Sequence, residues 1–460
     1  MQARRNLVPI CMLCVAMLQV FASGAQTVTQ IAAGNAHSLF LKSDGSLWAM
    51  GSDSLGYLGD GVTNGFYFTN RPEQIVASNV MAISAGLSDH NLFLKSDGSL
   101  WAMGNNQYGQ LGDGTYSTND FYYGTNRPEQ IVASNVTAIA GGFSHSLFLK
   151  NDGSLWAMGL NNDGQLGDGT FNITNRPEQI VASNVTAIAA GRYYSLFLKS
   201  DGSLWAMGDN EYGQLGDGTT NNTSSPEQIV ASNVTAIAAG FYHSLFLRND
   251  GSLWGMGKNW EGELGIGTYN NTGQPEEILS SNVTVIAAGG GSSLFIKSDG
   301  SLWGMGGSWR GELGNGGYSQ TNQPMMIVVS NVTAVSSGYG YGHTLFIKSD
   351  GTLWGMGDDS VGQLGDGGQG NMNWVLWPEH LLVLPTNYFR ISIEGLVDGR
   401  VRLTFVGDVG TQYELDRAAS IPPAYWILQS IKTAGAGGVV VFTNTPSVTT
   451  NNFWRIRPWP

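Results

Sequence analysis

The sequence predicts an all-β repeat protein, a body of seven similar four-stranded units followed by a small C-terminal β-sandwich. Three observations carry this. A tryptophan recurs at Trp48, Trp101, Trp156, Trp205, Trp254, Trp303 and Trp354, and a period of about 50 residues made of short apolar runs marks a radial or linear repeat fold. Around each tryptophan one phrase repeats, close to His-Ser-Leu-Phe-Leu-Lys-Ser-Asp-Gly-Ser-Leu-Trp-Ala-Met-Gly, then a loop ending Leu-Gly-Asp-Gly, then Pro-Glu-Gln-Ile-Val. Only 12% of the 460 residues are charged while 65 are glycine, placed mainly at fixed points of the repeat, a composition that fits many tight turns between strands.

The chain opens with Arg4 and Arg5, an apolar stretch from Leu7 to Phe21 and the small residues Ala22 to Ala25. This order reads as a cleavable export signal over residues 1–25; the apolar stretch is short for a membrane span. Both cysteines, Cys11 and Cys14, lie inside it, so the mature chain is expected to have no disulfide, no cysteine-ligated metal and no cysteine nucleophile. Localisation is accordingly expected to be extracellular, periplasmic or at the cell surface.

Residues 26–385 form the repeat body, and the third unit shows its logic. Val136 to Gly141 is a strand of small apolar residues suited to a crowded inner position. Ser146 to Lys150 and Ser154 to Met158 flank Asp152-Gly153, a tight hairpin turn in which glycine takes φ > 0 at little steric cost. Pro177 to Val181 is the fourth strand. The two middle strands are apolar on both faces, Leu147 and Leu149 against Phe148, and Leu155 and Ala157 against Trp156 and Met158. A sheet of that kind must be covered on both sides, as when blades stack around an axis. The tryptophans are therefore expected to be core.

These residues resemble the regulator-of-chromosome-condensation repeat family: its Ala-Gly-x-x-His-Ser-Leu, Asp-Gly and Gly-Gln-Leu-Gly elements recur, as from Ala33 through Leu58-Gly59, over about residues 28–384. The family's second Trp-Gly appears here as Met-Gly, for instance Met103-Gly104, and the histidine is replaced by Tyr194 and Ser292. The resemblance implies a seven-bladed β-propeller, in agreement with the seven tryptophans. From residue 386 to 460 the period stops and alternating runs such as Val401-Arg-Leu-Thr-Phe and Gln412-Tyr-Glu-Leu-Asp read as the separate β-sandwich.

The candidate chemistry is sparse. His37, His90, His145, His243 and His343 share one repeat position, but neighbouring strand residues point to opposite faces, so each cannot pair with the Ser, Asn or Thr beside it; hydrogen bonding within the turn is expected. The Leu-Gly-Asp-Gly aspartates Asp60, Asp113, Asp168, Asp217 and Asp366 lack the alternating oxygen ladder of a calcium loop and read as turn residues. No P-loop, dinucleotide fingerprint, zinc motif or Gly-x-Ser-x-Gly elbow is present. No catalytic residue, cofactor or metal is expected. A net charge of -13 argues against nucleic acid and anionic membranes, whose binding needs Lys and Arg to meet phosphate.

Comparison of the seven copies points to a partner surface instead. The loops joining first to second and third to fourth strands share one side, where the copies differ and aromatics accumulate. Tyr108, Tyr212, Trp260 and Trp309 lie in third-to-fourth loops. Phe143, Tyr193, Tyr194, Phe241, Tyr242, Tyr339 and Tyr341 lie in first-to-second loops, and insertions add Phe66-Tyr67-Phe68, Phe121-Tyr122-Tyr123, Trp374 and Trp377. Tyr and Trp on a rigid scaffold are the usual material of a protein-binding surface. The reading is an exported, monomeric, non-catalytic protein that binds a protein partner. The resembling family includes an exported bacterial inhibitor of β-lactamase, which makes inhibition of an extracellular enzyme a concrete form. Two other readings stand beside it: guanine-nucleotide exchange on a small GTPase, as in nuclear family members, and a structural or adhesive surface protein.

Overall fold

A computed structural model describes residues 26–54, 56–62, 68–87, 90–116, 124–340, 342–367 and 374–381, together with six strands between 392 and 458. The export segment 1–25, the boundary at 385, Tyr341, Phe66, Tyr67 and residues 121–123 lie outside the described residues.

The repeat body is a seven-bladed β-propeller. Each blade is a four-stranded antiparallel sheet in simple sequence order, as in blade three, with Val136–Gly141, His145–Lys150, Leu155–Gly159 and Thr174–Val181 from the axis outward. The blades span 28–76, 80–132, 136–181, 185–230, 234–279, 283–328 and 332–380. The outer strand carries a proline, such as Pro177, which an edge strand tolerates because no neighbour needs its N–H. The Asn of each inter-blade linker, for instance Asn184, takes a left-handed φ of 67°, a conformation asparagine adopts more readily than other side-chain-bearing residues.

Alternation makes the two faces of a blade unlike, and the ring brings unlike faces together. Leu147, Leu149, Leu155 and Ala157 of blade three pack on Phe197, Met207 and Trp205 of blade four; the same arrangement joins blade four to five and blade seven to one. The phenylalanines are fully buried. The tryptophans are half-buried rather than enclosed, which moderates the expectation of an indole core. Each stacks with its cross-strand Phe at 6.0–6.2 Å, and a cation from the end of the second strand covers it, as Lys150 covers Trp156 at 3.8 Å. Its Nε1–H donates to Ser154 Oγ at 2.9 Å, and Ser154 Oγ donates to Asp152 in the hairpin turn at 2.6 Å. The Asp-Gly turn and the tryptophan are thus one hydrogen-bonded unit, repeated around the ring.

Among the described residues, closure uses no shared strand. Blade one begins with Val28–Ala33 and all four strands of blade seven come from 332–380. The seam is held by Val28 N to Gly351 O at 3.0 Å, Tyr339 N to Gly34 O at 3.1 Å and Ala33 N to Ser336 Oγ at 3.0 Å. Beyond the propeller, two three-stranded antiparallel sheets are present, one of Ser392–Gly395, Val401–Val406 and Val439–Asn444, the other of Ile427–Thr433, Gln412–Ala418 and Phe453–Pro458. Among the described residues no helix is long and apolar enough to cross a membrane.

In one buried position blades one and seven carry an aspartate, Asp53 and Asp359, where blades two to five have an asparagine and blade six has Ser308. Blades two to four place Asn106, Asn161 and Asn210 where the amide donates to the loop aspartate, as Asn161 Nδ2 does to Asp168 at 3.0 Å. Blade one has Asp53 there, buried and facing Asp60, with Glu73 close by; burial and those two carboxylates push Asp53 up to about 7. The sign follows. A carboxyl raised in the folded state above its usual 3.8 favours folding at low pH, and that contribution is lost as pH rises towards 7. Asp53→Asn is expected to raise stability at pH 8 by about 1–2 kcal/mol, through an amide donor replacing a repelling carboxylate, with a smaller or absent gain at pH 4. Urea unfolding at the two pH values checks this.

Candidate functional site

Strand order places the first-to-second and third-to-fourth loops on one face, and the first-to-second loops, next to the inner strands, converge over the axis. Phe143 of blade three, Tyr193 of blade four, Phe241 of blade five and Tyr339 of blade seven meet there. Phe241 stacks on Tyr339 at 3.8 Å, while Phe143 meets Tyr193, Phe241 and Tyr339 edge-on at 5.4, 6.4 and 6.1 Å. The Arg192 guanidinium sits among these rings, 4.1 Å from the centroid of Phe241, 4.7 Å from Tyr193 and 5.1 Å from Tyr242, and donates to the Tyr242 hydroxyl. Aromatic faces attract a cation, so the cluster is a cemented cover over the axis. All of these side chains are half-buried.

From that cover the aromatic surface runs outward across blades four to six. Tyr212 packs on Tyr242 at 4.7 Å and on Trp260 at 5.2 Å. Trp260 and Trp309, in equivalent loop positions, are 57% and 59% exposed. Carboxylates surround them. Glu263 pairs with Lys258 at 3.0 Å and Arg310 with Asp358. Asp163, Asp209 and Glu261 are raised above the ordinary carboxylate range, each chiefly by burial.

The remaining expected site residues fall elsewhere. Tyr108 is half-buried in the loop of blade two, its N–H donating to Gln110 Oε1 at 2.9 Å. Trp374 lies at the outer edge of blade seven, edge-on to Tyr318 at 5.3 Å, away from the central cluster. Tyr194 needs correction. It begins the strand Tyr194–Lys199, is fully buried and donates to the His243 carbonyl; it is the phenol that replaces the repeat's histidine, not part of an exposed surface. Burial pushes its hydroxyl well above the ordinary phenol range.

Sequence reading missed Arg192, because a lone cation among loop aromatics gives no sign of caging. It also missed Tyr116, Phe171, Tyr269 and Tyr318, which are 38–54% exposed. Their signal was available: each stands two residues after the glycine that closes the Leu-Gly-x-Gly loop, in Gly-Thr-Tyr116, Gly-Thr-Phe171, Gly-Thr-Tyr269 and Gly-Gly-Tyr318.

The histidines also differ from expectation, in partner. They bond across blades and not within the turn. His145 Nε2 donates to Ser195 Oγ of the next blade at 3.0 Å, and Ser195 Oγ donates back to the Gln165 carbonyl at 2.8 Å. His90 with Ser146, His243 with Ser293 and His343 with Ser38 repeat the bond at 3.0, 2.9 and 2.8 Å, and His37 uses Asn91 Oδ1 at 2.7 Å. Ser292, which stands in place of the histidine in blade six, also bonds across blades, to Ser337 of blade seven at 3.2 Å. These His–Ser pairs resemble half a catalytic triad, yet both partners are fully buried. Among the described residues no group of three His, Cys, Asp or Glu side chains converges as a metal site.

A family model described as the RCC1-like domain matches residues 16–233, and models of the regulator of chromosome condensation (RCC1) repeat match 234–263, 250–296 and 332–363. The chain belongs to the RCC1-repeat family. Among curated relatives, the human probable E3 ubiquitin-protein ligase HERC4 is 32% identical over 142 residues, and human HERC2 is 30% identical over 139. Those matches cover 31% and 30% of this chain but only 13% and 3% of the relatives. Among solved structures, human WBSCR16 is similar with a TM-score of 0.63 and 24% identity, over 70% of this chain and 87% of that one. Yeast RCC1 (Prp20), solved bound to Kap60, has a TM-score of 0.60 and 23% identity, over 68% and 78%. These likenesses establish the RCC1-type propeller.

Proposed function

We propose that this RCC1-repeat protein is an exported, non-catalytic, monomeric propeller that binds a protein partner through its loop-rich aromatic face, acting as an inhibitor of an extracellular enzyme. The observation that carries the reading is the pair Trp260 and Trp309, more than half exposed on adjacent blades and continuous with the ring cluster around Arg192. Large rigid side chains left in water on a scaffold this well packed present contact area at low entropic cost. Export rests on the basic and apolar order of residues 1–25. The two C-terminal sheets are proposed to pack as a β-sandwich module of their own.

The test uses the mature chain as bait in its native extracellular milieu. Trp260→Ala with Trp309→Ala is expected to weaken capture of the partner by at least about tenfold, since central exposed aromatics dominate such interfaces. Both side chains are exposed, so stability should change little. Unchanged capture removes the face from the reading.

A further inference from the structure

The aromatic cover is barest at blade six. Blades three, four, five and seven fill the inner loop with Phe143, Tyr193, Phe241 and Tyr339 and blades one and two place Asn35 and Leu87 there, whereas blade six carries Gly289-Gly290-Gly291. Its third-to-fourth loop is equally bare at Gly307, where other blades have Ser52, Asn105, Leu160, Asp209, Lys258 and Asp358. Into this gap reaches Glu261 of blade five, whose Oε2 takes up the space that a Cβ on Gly291 or Gly307 would need. Glu261 follows the exposed Trp260 in sequence, and its carboxylate accepts a hydrogen bond from Trp309 of the next blade.

The charges there are not balanced. Lys258 is 3.7 Å from Glu261 but 3.0 Å from Glu263, so one ammonium serves two carboxylates. Glu312, in the corresponding loop of blade six, accepts from the Arg310 backbone N–H at 2.7 Å, while the Arg310 guanidinium is engaged by Asp358. Burial chiefly raises both Glu261 and Glu312 above the ordinary carboxylate range, with the Glu263 carboxylate adding to the first and Glu261 to the second. A half-desolvated carboxylate gains most from a cation that brings its own hydrogen-bond donors, and an indole face attracts the same cation. Arg192 among Phe241, Tyr193 and Tyr242 shows this chain already using such recognition a blade away.

We propose that the surface of Trp260, Glu261 and Trp309 over the glycine floor of blade six receives a lysine or arginine side chain from a basic loop of the partner. The inference rests on the protein-binding reading above and names the chemistry of what binds. An acidic chain presenting carboxylates beside exposed indoles complements a positively charged loop and repels an acidic one.

The experiment follows the indole N–H resonances of Trp260 and Trp309, assigned by Trp→Phe variants, during titration with a heptapeptide of alternating glycine and arginine or lysine. A peptide of the same length with glutamate in place of the cations is the control. The basic peptide is expected to move both resonances, the acidic one neither, and Glu261→Gln with Glu312→Gln to weaken the effect by about tenfold or more. The Trp156 resonance, far from the gap, reports that the variant is folded. No shift with the basic peptide, equal shifts with both, or shifts that survive the double glutamine variant overturn the assignment. Failure of the underlying reading is distinguishable: a captured partner that needs Trp260 and Trp309 but binds the double glutamine variant unchanged removes only the cationic class, whereas capture indifferent to both tryptophans removes the face.

Discussion

Gly159→Ala is expected to lower the stability of the propeller by about 2–5 kcal/mol, the sum of forcing an alanine into left-handed φ and overpacking a closed contact. Gly159 ends the third strand of blade three with φ of 107°, and a Cβ there would stand 2.5 Å from Ser144 O and 3.1 Å from Gln110 Cα. Gln110 belongs to blade two, so the glycine is where two blades approach backbone to backbone and neither wall is a movable side chain. Gly169→Ala separates the two causes. Its φ of 84° is also left-handed, yet the nearest atom to a new Cβ is Ser225 Oγ at 3.9 Å, so only the conformational cost of about 1–2 kcal/mol should appear. Denaturant unfolding of the two variants measures the difference; equal losses would show that the close approach contributes nothing.

Ser195→Val is expected to cost about 2–6 kcal/mol. It leaves two buried groups without partners, the His145 Nε2–H and the Gln165 carbonyl, each at about 1–3 kcal/mol. The valine fills the volume, so the loss is not one of packing. Removing both ends, His145→Phe together with Ser195→Val, should cost less than the sum of the single changes, because one orphan disappears. The same contact sets an acid limit. Burial pushes His145 down to about 3 from its ordinary 6.5, so it stays neutral in the fold while the unfolded chain takes up a proton. Stability from this position is therefore complete above pH 6.5 and is lost as pH falls towards 3. The unfolding free energy of His145→Phe should be flatter over that interval.

Seven blades of four strands were legible because every cue for them is local. Asp-Gly hairpins, two-faced apolar strands and the tryptophan period each act within a few residues, and the family resemblance adds the ring. The half-buried tryptophans were harder to read: composition favours enclosing an indole, but the structure leaves an edge in water and covers the face with the lysine that ends the neighbouring strand. Tyr194 shows the same limit in the other direction. Beside Arg192 and Tyr193 it looks like one more loop aromatic, yet one residue of phase turns it from the loop into the buried strand position.

Sequence by itself determined the strands, the turns, the count of blades and the unlike character of their two faces. It even determined that each histidine and its neighbouring serine point apart. Only the tertiary structure decided that they meet nonetheless, a blade away, because a closed ring sets the histidine face of one blade against the serine face of the next. It likewise decided which aromatics cover the axis, which remain in water and where blade six leaves the cover open. Those choices depend on residues about 50 positions apart in the chain, and no local pattern encodes which side chain arrives opposite which.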